Sequence, residues 1–137
     1  MPAMTPQYSY HFSVEEARAL LPALRRSFAQ IHDLLDQIDA QRSKTDAPVH
    51  YWSANGSAPR VEGGDNGTLT AQIQQIVQDW YEQHVLIKDI RRGLCDFPYF
   101  LPDTGEEVYL CWELCESDIA FWHTIDGGFA GRVRLAE

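Results

Sequence analysis

The sequence predicts an α+β protein in which a long antiparallel helical hairpin packs on a small antiparallel C-terminal β-sheet. Two observations predict the hairpin: a heptad seam of apolar residues near the N-terminus and a similar seam after a central loop. A third predicts the sheet, because the apolar period changes from helical to alternating in the last third of the chain. The 137 residues have the length of one domain. We divide residues 1–137 into a helix at 13–42, a loop at 43–67, a helix at 68–92 and a β-rich tail at 94–135.

The first seam predicts a long helix with a kink at Pro22. Ser13 followed by Glu16 matches an S-x-x-E capping box, which is typical of a helix N-terminus. The apolar residues that follow are spaced alternately by three and four positions, which places them on one face of a helix. Pro22 lacks the N–H that an interior helical residue donates, so we expect a kink within residues 18–22. The seam consists of Val14, Ala17, Leu21, Leu24, Phe28, Ile31, Leu35 and Ile38.

Residues 43–67 predict a loop because they hold four of the nine glycines and two of the seven prolines. Within this loop, Asn55-Gly56 is an alternative signal for a small hairpin. The second seam then predicts the helix at 68–92, with a polar pair at 83–84 that we interpret as setting the register of the packing. This seam consists of Leu69, Ile73, Ile76, Trp80, Ile87 and Ile90.

The tail at 94–135 has the pattern of short strands joined by turns. Residues 102–105 read Pro-Asp-Thr-Gly, which predicts a tight turn. Residues 108–114 predict a strand whose side chains alternate between two faces. Residues 119–125 fit either a strand or a short helix. We therefore expect a small antiparallel sheet against one end of the hairpin.

Composition excludes several classes of protein. Eleven Lys and Arg against twenty Asp and Glu give a net charge of −9, so a nucleic acid is not an expected partner. No apolar run approaches the roughly 20 residues that cross a bilayer, so we expect no membrane association. The N-terminal residues lack the basic and apolar segments of a signal peptide, and the three cysteines form no disulfide or zinc-ribbon pattern. These features together predict a cytoplasmic protein with reduced thiols.

A set of short motifs in a fixed order extends over nearly the whole chain, apart from the central loop. The motifs are Phe12-Ser13-Val14-Glu15-Glu16-Ala17, Leu20-Leu21-Pro22, Gly93-Leu94-Cys95-Asp96-Phe97-Pro98, Val108-Tyr109-Leu110-Cys111-Trp112-Glu113-Leu114, Phe121-Trp122-His123 and Gly128-Phe129-Ala130-Gly131-Arg132. In these motifs the chain resembles the domain of unknown function 2203 family of small bacterial proteins. The family usually has glycine where this chain has Cys115. The resemblance implies a family but no activity.

The polar residues of the tail suggest a metal site. Residues 94–126 contain eight acids and neither Lys nor Arg. Glu116 and His123 would be the central ligands of such a site. Imidazole and carboxylate suit Zn, Mn, Fe or Ni, and the ion would polarise a substrate or activate a bound water. The candidates for the remaining ligands are Asp96, Glu113, Asp126 and the thiol of Cys111.

Two other interpretations of the same residues stay open. In a structural interpretation, Glu116 or Asp126 pairs with Arg132 or Arg134, and His123 donates a ring N–H to a backbone carbonyl or to Asp96. In the other interpretation, the acids form a surface for a basic partner or a solvated face.

From these patterns we predict a non-catalytic binding or assembly module, with a divalent-metal-binding protein or a metal-dependent hydrolase as the alternative. The patterns leave open whether the protein is an enzyme. Two helices alone bury a thin core, so we expect a second hairpin to pack on the first in a homodimer. A further small ligand or protein partner is expected but is not identified by the sequence.

Overall fold

The N-terminal helical segment is interrupted at Leu20, as the proline predicts. In the computed structural model, which describes residues 5–45, 49–50, 60–61 and 67–136, α1 spans Val14–Ala19 and α2 spans Leu21–Thr45. Both hydrogen bonds of the capping box between Ser13 and Glu16 are present. The Leu20 N–H donates to the carbonyl of Ala17 over 3.1 Å, which tightens the last turn of α1 before Pro22.

Helix α3, Gly67–Glu82, lies antiparallel to α2. The indole N–H of Trp80 donates to the hydroxyl of Ser27 over 2.9 Å, so the end of α3 lies beside the beginning of α2. The arms are unequal, since α2 has 25 residues and α3 has 16. The predicted helical hairpin is therefore matched in part.

The predicted loop at 43–67 contains a small strand pair. Helix α2 continues to Thr45, and β1 (Val49–His50) pairs antiparallel with β2 (Arg60–Val61). The predicted turn at Asn55-Gly56 lies outside the described residues.

The prediction of one helix over 68–92 is wrong beyond Glu82. His84 has a φ of 72°, a left-handed conformation that ends the helix, and the Val85 N–H closes this end on the Trp80 carbonyl over 3.0 Å. The chain continues as strand β3, Leu86–Asp89. Ile87 and Ile90 are buried as the heptad spacing implies, but they lie on a strand and in a turn.

The C-terminal residues form the expected antiparallel sheet. Strand β3 is followed by β4 (Leu94–Phe100), β5 (Glu107–Glu113), β6 (Phe121–Thr124) and β7 (Val133–Arg134). The strands lie in chain order, and each pairs antiparallel with the next. The segment at 119–125 is thus a strand at its centre, and the turn at 102–105 ends in Gly105 with a φ of 72°.

The hairpin packs on one face of this sheet. All residues of the first seam are buried except Val14, which is half-buried. They share a core with inward residues of β4 and β5, such as Phe97 and Trp112. Because side chains alternate along a strand, the next residues of β4 and β5 lie on the opposite face of the sheet, which we call the outer face. Among the described residues, no helix is both long and apolar enough to cross a membrane.

Candidate metal site on the outer face of the sheet

Three adjacent strands each contribute one potential metal ligand to the outer face. Asp96 lies on β4, Cys111 on β5 and His123 on β6. Asp96 lies directly opposite Cys111 in the β4–β5 register, and β6 follows on the other side of β5. One ligand atom from each side chain lies within 4.8 Å of the other two. We call these three residues the outer-face cluster.

The cluster is closed to solvent. The exposed fractions are 3% for Asp96, 0% for Cys111 and 3% for His123. Burying an ionisable group costs free energy unless its polar atoms find partners. Each member of the cluster must therefore be satisfied inside the protein.

Both ring nitrogens of His123 face oxygen acceptors. Nδ1 lies 2.8 Å from the carbonyl oxygen of Thr124, and Nε2 lies 3.0 Å from Oδ1 of Asp96. A neutral imidazole carries only one N–H. The second contact therefore requires either a further proton or a metal ion. Burial lowers the pKa of His123, but the hydrogen bonds to Asp96 and Thr124 outweigh burial and raise this pKa above its usual value.

Cys111 is a thiol in the metal-free protein. Burial, with a contribution from Asp96 that the nearby Arg132 only partly offsets, raises the pKa of Cys111 to about 12. A thiol of this pKa is a poor nucleophile at neutral pH. A divalent metal ion would displace its proton, because thiolate is the form that binds metals.

The other predicted ligands lie elsewhere. Glu116 forms two hydrogen bonds with the Arg132 guanidinium, at 2.6 and 2.9 Å, and accepts the Glu113 N–H over 2.8 Å. The carboxylate of Glu113 pairs with Arg92 over 2.7 Å. Asp126 is exposed. Of the predicted ligands, the structure brings Asp96, His123 and Cys111 together. The contacts of Glu116 with Arg132 and of His123 with Asp96 are those of the structural interpretation.

Aromatic and cationic side chains close one end of the cluster. The guanidinium of Arg132 lies 4.1 Å from the ring centroid of Phe121 and 4.5 Å from that of Phe129, and it donates to the Cys111 carbonyl over 3.2 Å. Phe121 lies opposite Cys111 in the β5–β6 register. Arg132 is therefore held between two rings and an acid, next to the thiol.

Two tyrosines, which the sequence analysis did not name as site residues, lie at the other end of the cluster. Tyr109 is 4% exposed and lies opposite His123, with 5.4 Å between the ring centroids. Its hydroxyl is hydrogen-bonded to that of Tyr8. The alternation along 108–114 places Tyr109 and Cys111 on one face, so Tyr109 was within reach of sequence reasoning. Nothing in the sequence links Tyr8 to a strand 101 residues away.

The fold and the site together define an α+β protein with a buried Asp–Cys–His cluster on the outer face of a five-stranded sheet. The family described as uncharacterized conserved protein (DUF2203) matches residues 10–135, so the chain belongs to this family and the resemblance is confirmed. Neither the curated proteins nor the solved structures contain a match. Cys115, which replaces the usual glycine, does not have a positive φ, so the turn there does not need glycine.

Proposed function

We propose that this protein is a non-catalytic metal-binding protein that holds one divalent ion of the zinc class between Asp96, Cys111 and His123. The observation that carries the proposal is that one carboxylate oxygen, one thiol sulfur and one imidazole nitrogen, from three neighbouring strands, lie within 4.8 Å of one another. In addition, a metal ion is one of the two ways, besides a further proton, to join Nε2 of His123 to the Asp96 carboxylate.

The types of ligand favour zinc among the four metals that the sequence suggests. Imidazole suits Zn, Fe and Ni, thiolate adds a preference for Zn, and Mn prefers oxygen ligands. Metal–ligand bonds in zinc sites are about 2.0 to 2.3 Å long, which puts neighbouring ligand atoms about 3.5 Å apart in a tetrahedral arrangement. The three ligand atoms lie within 4.8 Å of one another, and Nε2 and Oδ1, which are 3.0 Å apart, would separate slightly to admit the ion.

The surroundings of His123 support its role as a ligand. Metal-binding histidines usually donate their second ring N–H to a carbonyl or a carboxylate, which orients the lone pair of the other nitrogen. In this protein Nδ1 lies 2.8 Å from the carbonyl oxygen of Thr124, which would accept an Nδ1–H and leave Nε2, on the side of Asp96, to bind the ion. The ionised side chains of Asp96 and Cys111 would neutralise a divalent ion, which a buried site favours.

The enclosure of the cluster favours binding over hydrolysis. Three protein ligands leave the fourth position of a zinc ion to a water, as in catalytic sites, but hydrolysis also needs access for a substrate. The exposed fractions of the three residues are 3% or less. The metal-dependent hydrolase is therefore the less supported of the two metal-dependent functions.

A cobalt titration tests the proposal. The full chain, purified without a His tag and stripped with a chelator, is titrated with Co²⁺ and then with Zn²⁺. We expect one ion per chain, with a thiolate-to-cobalt charge-transfer band that Zn²⁺ abolishes. Cys111→Ser should remove this band and weaken binding by at least about 100-fold, since even the loss of a group that only orients a ligand costs 10- to 100-fold.

The matched control is Cys115→Ser, which removes an exposed thiol. It should bind like the parent chain, as should Asp126→Asn, which changes an exposed acid. Absence of stoichiometric binding, or equal losses in Cys111→Ser and Cys115→Ser, would overturn the proposal.

A further inference from the structure

An ion reaches the outer-face cluster only if one of the elements that cover it moves. The cluster has an inner side, which is the sheet itself, and two ends. At one end Arg132 is held by Glu116 and by the rings of Phe121 and Phe129. At the other end Tyr8 contacts Tyr109, and the ammonium of Lys88 lies 5.4 Å from the centroid of the Tyr109 ring. The two ends differ in how firmly they are held.

Tyr8 belongs to a segment without helix or strand, residues 5–12, which we call the N-terminal strap. One carboxylate holds its first half, whereas the second half is fixed by the hydrogen bond from Tyr10 to Glu16 over 2.6 Å, by the stacking of His11 on Phe100 and by Phe12, which is buried in the core. Glu107 accepts the backbone N–H of Gln7 over 2.7 Å, the backbone N–H of Tyr8 over 3.0 Å and a hydrogen bond from Nε2 of His11 over 2.7 Å. The strap joins β4 through one further backbone bond, from Phe12 to the carbonyl of Pro98, over 2.8 Å.

The strap has space on both flanks. A cavity of about 320 Å³ lies between Tyr8 and the end of α3, where its other walls include Tyr81 and Leu86. A second cavity, of about 550 Å³, lies towards Thr124 and Asp126. Gln7 lines both. Leu86, which lines the first cavity, is also the register partner of Asp96 on the neighbouring strand. The first cavity therefore lies beside the cluster.

We propose that the N-terminal strap is the gate of the metal site and that Glu107 is its latch. This inference rests on the proposed function. The part of the strap at residues 5–8, which Glu107 holds and two cavities flank, separates from the sheet at a lower cost than a paired strand or the Arg132 end. Opening lifts Tyr8 from Tyr109 and exposes the cluster, while the core between sheet and hairpin stays intact.

Alkylation of the three cysteines measures opening without any metal. The metal-free full chain is treated with N-ethylmaleimide, and the labelling rate of each cysteine is read by mass spectrometry. Cys115 is exposed and reports the intrinsic rate, whereas Cys95 lies in the core behind the sheet and reports global unfolding. Glu107→Ala should speed labelling of Cys111 at least about tenfold, with Cys95 unchanged. A tenfold change corresponds to about 1.4 kcal/mol, the size of one hydrogen bond to a charged group.

The matched control is Glu106→Ala, which removes the neighbouring exposed carboxylate and should leave all three rates unchanged. An unchanged Cys111 rate in Glu107→Ala overturns the proposal, as does equal acceleration of Cys111 and Cys95, because the cluster would then open only with the whole fold. The assay contains no metal, so its failure leaves the cobalt titration standing. Failure of the titration would likewise leave the result on the strap intact.

Discussion

Glu116 illustrates how the surroundings of a single residue decide its role. The sequence allows it to be a metal ligand or an ion-pair partner, since a carboxylate serves either purpose. In the structure, both of its oxygens are occupied by Arg132 and one also accepts the Glu113 N–H. The exposed side-chain fractions of the pair are 12% for Arg132 and 20% for Glu116. The pair therefore fixes the Arg132 end of the cluster.

We expect Glu116→Ala to lower the free energy of unfolding by about 3 kcal/mol, because it leaves a largely buried guanidinium without its carboxylate. Urea unfolding followed by tryptophan fluorescence measures the change. Asp126→Ala, which removes an exposed acid, should change the stability by less than about 0.5 kcal/mol. Similar values for both variants would show that the pair with Arg132 adds nothing to stability.

At the scale of elements, the end of α3 shows that a periodic pattern predicts which residues are buried but not where a helix ends. The heptad spacing runs on through Ile87 and Ile90, and both residues are buried. A buried position reveals which way a side chain faces but not whether its backbone is helical, since a strand can bring the same residues to the core. His84, in the left-handed conformation, ends the helix, and Gly93, also with a positive φ, lies in the turn between β3 and β4.

A pair of glycines tests the geometry of the turns. Gly93 and Gly105 have φ values of 71° and 72°, a conformation that costs an L-residue about 1 to 2 kcal/mol. A Cβ on Gly93 would lie 2.5 Å from the Cβ of Leu114, whereas a Cβ on Gly105 would meet no atom of the described residues within 4 Å. Thermal unfolding should show a loss of about 1 kcal/mol for Gly105→Ala and about 3 kcal/mol or more for Gly93→Ala. Equal losses would mean that the contact with Leu114 relaxes freely.

At the scale of the molecule, the sheet supplies the second layer that the helical hairpin needs. Phe28 of α2 packs towards Trp112 of β5, with 6.5 Å between ring centroids, and both side chains are fully buried. The first seam is thus covered within one chain. The thin core of two helices, which was the reason to expect a homodimer, is absent from this arrangement.

The homodimer stays a prediction that size-exclusion chromatography with light scattering tests directly. A mass of twice 15.6 kDa confirms it. A mass of 15.6 kDa contradicts it and shows that one hairpin and one sheet make a sufficient core.

The sequence alone was enough to predict the capped and kinked first helix, the antiparallel sheet and the family, because these depend on local spacing and on short motifs. It also indicated that the acids and His123 form a polar region. Only the tertiary structure decided which polar residues meet. Asp96, Cys111 and His123 converge because strand pairing brings together residues that lie 12 to 27 positions apart, and Tyr8 joins them from the far end of the chain. Strand register and the path of the strap depend on contacts across the whole fold, and a one-dimensional pattern does not contain them.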